Sequence, residues 1–414
     1  PPTATPPTTT TRPSARRPAG RLNGMIESQI REMTRLAIAH GAINCAQGFP
    51  DFGTPEPIRR AAAEAILADH NQYAITWGVP ALRTAIARSY ADRFPGHFDW
   101  VDPERHVTVT CGVTEAVTVA LMALLEPGDE VIVLEPAHEN YAPAARFAGG
   151  RAVGVALEGP DYALDPARLA AAVSPRTKAL ILNAPHNPTG RVFTRAELEA
   201  VAVLCIERDL VAITDEIYDR IVYAPHEHVP LATLPGMRER TITLSGFSKT
   251  FAVTGWRLGF AVAPEPWSHA LRTVHDFTTI CAPTPLQHAA AAAMDLPAAF
   301  FTEQRDAYAV RRATMLSILA ANGFTCRAPE GAYYCLCRYD AWSFDGDSDA
   351  FARWLTQAVG VAVVAASSLY VTPGLGRDEV RFAYAKKAET LAEVGARLAV
   401  GFAQRAVAYA NRAV

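Results

Sequence analysis

The sequence predicts an α/β protein: a mostly parallel sheet covered by helices on both faces, followed by a smaller α+β portion. Three observations carry that expectation. Short β-branched runs alternate with helix-length segments from about residue 60 to residue 262, the pattern of strands joined by crossover helices. Half of the 414 residues are hydrophobic and a fifth are charged, which supplies more core than one ordinary domain needs and fits two. The final third then changes to long helical stretches with isolated strands.

The elements follow in order. Residues 1 to about 20 are Pro, Thr, Ala and Arg with almost no large apolar side chain. Such a segment cannot bury enough surface to order itself, so residues 1–22 read as a flexible tail. It lacks the apolar region of a secretory signal, and its prolines oppose the amphipathic helix of a transit peptide. Val107–Thr110 reads as a strand, Glu115–Leu125 as a helix and Val131–Leu134 as a strand. A strand at Ala152–Leu157, a helix near Pro166–Val173 and a strand at Ala179–Leu182 come next. The helix Arg195–Arg208 precedes strands at Leu210–Thr214, Ile242–Leu244 and Leu258–Val262. A long helical region near Pro283–Leu319 leads to the strand Ala332–Cys337 and a helix over Ser348–Ala358. Strands at Val361–Val364 and Glu379–Ala383 and a helix from Glu389 close the chain. The expected division is a large domain over 61–300 and a small domain made of 23–60 and 301–414.

Composition narrows the function. A formal net charge of −3 argues against a nucleic-acid or anionic-membrane surface. No apolar run approaches the roughly 20 residues needed to span a bilayer. The seven cysteines are an odd number set mostly in apolar segments, so reduced thiols in a cytoplasmic compartment are expected. Cys335 and Cys337, two apart in a strand, share a face and form no redox pair. His226 and His228 have no third ligand spaced to join them, and no metal site is expected.

Five loops, each after an expected strand or opening a helix, carry the polar residues. Gly112-Val113-Thr114 stands where a strand turns into a helix; it is either an anion site of backbone N–H groups and a hydroxyl or simply an N-cap by Thr114. Asn187 in Asn183-Ala-Pro-His-Asn-Pro-Thr-Gly190 marks a turn, or donates to a phenolate-like oxygen. Asp215 leaves a buried strand, with Tyr218 three residues on; a buried carboxylate is costly unless paired, and a protonated ring nitrogen would be a fitting partner. Lys249 stands in a loop of small and polar residues, with Ser245 and Ser248 before it and Arg257 eight residues after. Lysine is the side chain that forms Schiff bases once its surroundings let it lose a proton, and an arginine there can fork onto a phosphate. Arg381 lies inside an apolar strand and wants a carboxylate, from within the protein or from a substrate.

In combination these motifs resemble the class I/II aminotransferase family of fold-type I pyridoxal-phosphate (PLP) enzymes. The match runs from about residue 23 to the C-terminus. Asn187-Pro-Thr-Gly, Asp215-Glu-Ile-Tyr218, Ser-Lys249-Thr, Gly255-Trp-Arg257-Leu-Gly and Val380-Arg381-Phe arrive in the family's order. Gln47-Gly48-Phe-Pro-Asp-Phe52 and Glu330-Gly-Ala-Tyr-Tyr334 are similar to the kynurenine aminotransferase-like branch. The resemblance implies an aspartate aminotransferase-like fold with a mostly parallel seven-stranded sheet in a large PLP-binding domain. It further implies that Lys249 forms the Schiff base and shuttles the proton toward and away from a quinonoid intermediate. Asp215 would keep the pyridine nitrogen protonated, and Asn187 and Tyr218 would hydrogen-bond the ring hydroxyl. Gly112, Val113, Thr114, Ser245, Ser248 and Arg257 would hold the phosphate. Tyr73 would reach the phosphate of a neighbouring subunit in a homodimer. Arg381, with the Gly48 backbone, would clamp the substrate carboxylate.

One position departs from the family. In Glu135-Pro-Ala-His138-Glu-Asn-Tyr141 the family usually stacks an aromatic residue on the cofactor, and here His138 falls at that register. It stacks in the same way, or it supplies an extra acid/base. The leading expectation is an aminotransferase moving the amino group of an L-amino acid to a 2-oxo acid. The alternative is a PLP enzyme of the same fold that performs elimination, replacement, cyclisation or carbon–carbon bond formation. A non-enzymatic binding module is opposed by intact Lys249, Asp215, Tyr218 and Arg257. Ile26, Tyr73, Trp77, Tyr333 and Tyr334 are expected to give the pocket an apolar, aromatic character, or to pack the domain interface.

Overall fold

The computed structural model describes residues 17–410. Most of the expected tail therefore lies outside the described residues; Gly20–Leu22 within it form a single 3-10 turn. The first elements are α1 (Gln29–His40), β1 (Ile43–Asn44), α2 (Glu56–Leu67) and α3 (Pro80–Arg93). An alternating stretch follows: β2 (Val107–Thr110), α4 (Val113–Leu124), β3 (Glu130–Glu135), α5 (Tyr141–Phe147), β4 (Arg151–Ala156), α6 (Pro166–Ala171), β5 (Thr177–Asn183), α7 (Arg195–Glu207), β6 (Val211–Asp215), β7 (Thr241–Gly246) and β8 (Gly259–Val262). After it come α8 (Trp267–Thr278), α9 (Thr284–Met294), α10 (Ala298–Ala321), β9 (Thr325–Cys326) and β10 (Tyr334–Arg338). The last are α11 (Ser348–Trp354), β11 (Val361–Ala362), β12 (Val364–Ala365), β13 (Glu379–Ala383) and α12 (Ala388–Ala410).

Seven strands form the main sheet in the order β2-β8-β7-β6-β5-β3-β4. Only β8 runs against its neighbours; the other pairs are parallel. Apart from the edge strand β4, its strands are buried nearly throughout because both faces are covered. Val131, Val133, Ile181 and Ile213 pack toward α4, α5 and α8, whereas Ile132, Leu134, Leu180 and Ala212 pack toward α6 and α7. Successive residues of one strand thus serve two helical layers. The parallel arrangement brings the ends of β2, β3, β5, β6 and β7 to one edge, where loops meet ligands.

A separate four-stranded antiparallel sheet, β12-β13-β10-β9, lies in the C-terminal part. Beside it β1 and β11 make a two-stranded parallel ladder. The core here is aromatic, with Tyr339 and Phe351 stacked at 3.9 Å and Trp342 and Phe382 fully enclosed. The segment after β1 is sewn to this unit. The Ala383 N–H donates to the Cys45 carbonyl at 2.8 Å, and Lys386 Nζ donates to the Phe49 carbonyl at 3.0 Å. The Lys387 N–H donates to Asp51 Oδ1 at 2.6 Å.

Several expected elements differ. The helical region 283–319 is two helices, because Pro297 caps α10 and a proline cannot continue the hydrogen-bond ladder of α9. The helix expected over 348–358 loosens after Trp354 into a π turn, ending at Gly360 with φ +80°. The strand 361–364 is divided at Val363 between two sheets. Five helices carry no expectation from the sequence: α1, α2, α3, α5 and α8. The two histidines near 227 sit apart: His228 pairs with Glu216 at 2.8 Å and His226 with Glu330 at 3.7 Å. No group of three metal-binding side chains occurs among the described residues.

Candidate active site

The strand ends converge on a cleft of about 580 Å³ lined by Val113, Thr114, His138, Asn187, Asp215, Tyr218, Ser248, Lys249 and Arg257, among others. One corner is built from the start of α4. Its N-cap is Gly112, at φ +81°, and no side chain caps the helix, so Thr114 is not the N-cap. The first-turn N–H groups are left to an outside acceptor, with the helix dipole favouring an anion. Arg257 closes that corner, held by a bond from Nη1 to the Thr254 carbonyl at 3.0 Å. A Cβ at Gly112 would lie 2.5 Å from Arg257 Nη2, so the guanidinium occupies the space a side chain would need. Asn140 Nδ2 donates to Thr114 Oγ1 at 3.2 Å, which turns the hydroxyl proton elsewhere.

Asp215 ends β6 and is buried. Tyr141 Oη donates to its Oδ2 at 2.6 Å and the Ile217 N–H to its Oδ1 at 3.2 Å. Burial nevertheless pushes its pKa up to about 6, against the lowering effect of those two bonds. No basic side chain forms an ion pair with it among the described residues. A buried carboxylate in that state suits an incoming cation.

Lys249 lies across the cleft, its Nζ donating to the Gly48 carbonyl at 3.0 Å. Its pKa is lowered, first by burial and then by the charges of Arg257 and Arg381. That raises the fraction of free amine, the form that attacks a carbonyl. Asn187 and Tyr218 flank the middle of the cleft. Asn187 Oδ1 accepts from Arg381 Nη1 at 2.9 Å, which leaves the amide nitrogen free to donate. Tyr218 Oη shares a hydrogen bond with Tyr334 Oη at 2.9 Å.

Arg381, on β13, is buried without a carboxylate in reach among the described residues. Its Nη2 donates to the Ala46 carbonyl at 2.7 Å, its guanidinium stacks 4.4 Å from the Tyr334 ring centre, and its Nε has no partner. An internal salt bridge is therefore not what holds it.

His138 forms one wall. Its Nδ1 accepts from the Asn140 N–H at 3.2 Å, which selects the neutral tautomer carrying its proton on Nε2. Burial, then the charges of Arg381, Lys249 and Arg31, push its pKa down to about 3. At neutral pH it is an uncharged ring and a feeble base.

Ser245, Tyr73 and Trp77 fall outside this chain's own cleft. Ser245 is turned away: its Oγ donates to the Glu216 carbonyl at 3.2 Å, because it still belongs to β7 and only the loop after Gly246 reaches the cleft. Of the two serines, Ser248 alone lines it. Tyr73 is 80% exposed and touches nothing in its own cleft. Trp77 stacks under Arg272 at 5.0 Å, away from Lys249. Three contributors were missed. Tyr141 and Asn183 anchor Asp215, the latter donating to the Asp215 carbonyl at 2.8 Å, and Asn140 orients Thr114. For Asn183 a signal existed, since it ends β5 as Asp215 ends β6, and the two are in register.

The comparisons agree with this geometry. The family model described as aminotransferase class I and II matches residues 41–398. A Mycobacterium tuberculosis protein named probable N-succinyldiaminopimelate aminotransferase is 37% identical, covering 92% of this chain and 97% of its own. The solved structure of N-succinyldiaminopimelate aminotransferase from that organism superimposes with a TM-score of 0.89 at 37% identity, over 92% of this chain and 99% of that one. Human kynurenine–oxoglutarate transaminase 1 is 36% identical, covering 92% of this chain and 97% of its own. The methionine aminotransferase of Escherichia coli is 36% identical, over 89% and 94% respectively.

Proposed function

The chain belongs to the class I and II aminotransferases and is a PLP-dependent enzyme, and we propose that its cleft transfers the amino group of an L-amino acid to a 2-oxo acid through the residues that follow. One observation carries the reading: a buried Asp215 with no cationic partner among the described residues faces a half-buried Lys249 of lowered pKa, across a cleft whose other corner is an uncapped helix start beside Arg257.

These groups fit the cofactor. The uncapped start of α4, Thr114, Ser248 and Arg257 suit its phosphate, and Asp215 suits its ring nitrogen. When bound, PLP supplies an electron sink for the pair released at the substrate Cα. Lys249 would take the proton from the substrate Cα and deliver it to the carbon on the other side of the amino nitrogen, a task that its depressed pKa favours. Asp215, held by Tyr141 and the Ile217 N–H, would keep a proton on the ring nitrogen. Asn187 and Tyr218 would donate to the ring oxygen, and Arg381 would fork onto the substrate carboxylate with its free Nε available. His138 contributes a flat neutral wall and is a poor acid/base, and the relatives are named aminotransferases, which together favour transamination over elimination or cyclisation.

The wider organisation is proposed on the same footing. The enzyme is a cytoplasmic homodimer in which exposed Tyr73 reaches the neighbouring subunit's phosphate corner, and its seven free thiols suit that compartment. Residues 61–300 form the large domain, and residues 23–60 with 301–414 the small one. The relatives are named for N-succinyldiaminopimelate, kynurenine and methionine at near-equal identity, an acidic, an aromatic and a thioether side chain, so the side-chain specificity of this chain is read as broad. To test the reaction, holoenzyme is mixed with a panel of L-amino acids. Each turnover should convert the cofactor to its amine form and release the matching 2-oxo acid, and Lys249→Ala should abolish both. Released ammonia or a lost leaving group in place of the 2-oxo acid would overturn transamination.

A further inference from the structure

We infer that Tyr334 is a positioning residue that couples the two halves of the site, through its hydroxyl to Tyr218 and through its ring to Arg381. It does not line the cleft. It stands at the start of β10, where the chain turns sharply: Ala332 has φ +56°, and the Ala332 N–H is tied to the Ile221 carbonyl at 2.9 Å. That turn lets Tyr333 and Tyr334, consecutive in sequence, both pack edge-on against Tyr218, with ring centres at 5.3 and 5.8 Å.

Three contacts define the role. The Tyr334 hydroxyl is 2.9 Å from that of Tyr218, and the residue is 2% exposed, so neither oxygen is freely solvated. If Tyr218 is to donate into the cleft, its oxygen remains to accept, and Tyr334 is the donor placed to satisfy it. A donor chain of this kind strengthens the terminal bond, because each hydrogen bond polarises the next. The Tyr334 ring then carries the Arg381 guanidinium at 4.4 Å, a cation–π contact that fixes the plane of the fork. Gly48 completes the arrangement: a Cβ there would come within 1.9 Å of the Tyr334 hydroxyl, so the missing side chain at 48 is the space this hydroxyl fills. The charged or titratable groups facing Tyr334 are Tyr218, Tyr333 and Arg381, with Tyr308, Lys249 and Lys386 farther off.

The inference rests on the cofactor reading above, and the test separates the two. In holoenzyme, Tyr334→Phe keeps the ring and removes the hydroxyl. Tyr218 then becomes a poorer donor, negative charge in the cleft is less stabilised, and a proton there is held to higher pH. The pH midpoint of the visible band that depends on Lys249 should rise by roughly half a unit. At the same time kcat should fall about fivefold while affinity for 3-phenylpropanoate, a carboxylate with no amino group, changes by less than about twofold. Tyr334→Leu, or Tyr334→Met if the leucine variant does not fold, should give the same shift and also weaken 3-phenylpropanoate about tenfold. Tyr308→Phe, which removes another buried hydroxyl near Tyr333 without touching Tyr218 or Arg381, should leave the midpoint in place. A wild-type band with an unmoved midpoint in Tyr334→Phe overturns the link to Tyr218. Unchanged 3-phenylpropanoate affinity in both ring-deleting variants overturns the link to Arg381. Absence of any such band in wild type brings down the cofactor reading, and this inference with it.

Discussion

Asp215 shows at the scale of one residue how a functional group strains its own protein. Its carboxyl titrates near 3.8 in the absence of burial and near 6 in the fold. Below both values the proton is bound in either state, so nothing is lost. Between them the unfolded chain ionises while the folded one does not, and stability falls as pH rises through that window. Above about 6 the deficit is constant, on the order of 3 kcal/mol. Asp215→Asn should therefore stabilise cofactor-free protein at pH 8 but not at pH 4, as read by urea midpoints. The same change should cut kcat/KM by about a hundredfold or more, since it removes a charged hydrogen bond to the ring nitrogen. His138→Phe makes the opposite point. A neutral ring replaces a neutral ring, so activity is expected to stay within about tenfold of wild type. A loss of the hundredfold or more typical of a missing acid/base would restore that role to His138. The type of a residue was readable in the sequence, but the state of His138 was not. Its neutrality comes first from burial and then from cations on distant segments, and no local spacing reveals those.

Elements were legible where their pattern was regular and opaque where it was not. The strands of the main sheet announced themselves as short apolar runs, and all seven stand within two residues of expectation at each end. Helix α3 did not, because its buried face, with Leu82, Arg83, Ile86, Ser89 and Tyr90, carries an arginine and a serine among its apolar residues, which erases the hydrophobic stripe. Helix α1 carried signals that went unused, a Ser28 N-cap and a left-handed Gly41 after its end. Packing also sets how α4 presents its first turn. A Cβ at Gly259 on β8 would lie 2.6 Å from Gly112 C and 2.7 Å from Val113 N, both backbone atoms that cannot swing aside. Gly259→Ala should lower stability by about 1–3 kcal/mol and weaken cofactor binding by displacing the anion corner. Gly255→Ala, which meets nothing within 4 Å, should do neither. Urea unfolding with and without added PLP measures both.

At the scale of the whole molecule, several large apolar side chains remain uncovered in a single chain. Leu67, Tyr73 and Phe277 are each at least 80% exposed, and a homodimer gives them a surface to pack against. Sedimentation should find a dimer, and Tyr73→Phe should keep it while weakening PLP about tenfold, the cost of one hydrogen bond to phosphate. A monomer at micromolar concentration would remove Tyr73 from the site. The joining of residues 43–51 to the C-terminal part has a consequence in time. A ribosome releases the chain from its N-terminus at about 5–20 residues per second, and all seven strands of the main sheet are out once Val262 has emerged. Gly48 has by then been exposed for the length of more than half the chain, yet its neighbours Cys45, Phe49 and Asp51 await Ala383, Lys386 and Lys387. The anion corner can thus form during synthesis, while the wall behind Lys249 is set only near its end. A newborn chain passes through an interval in which it is able to hold its cofactor before it is able to use it.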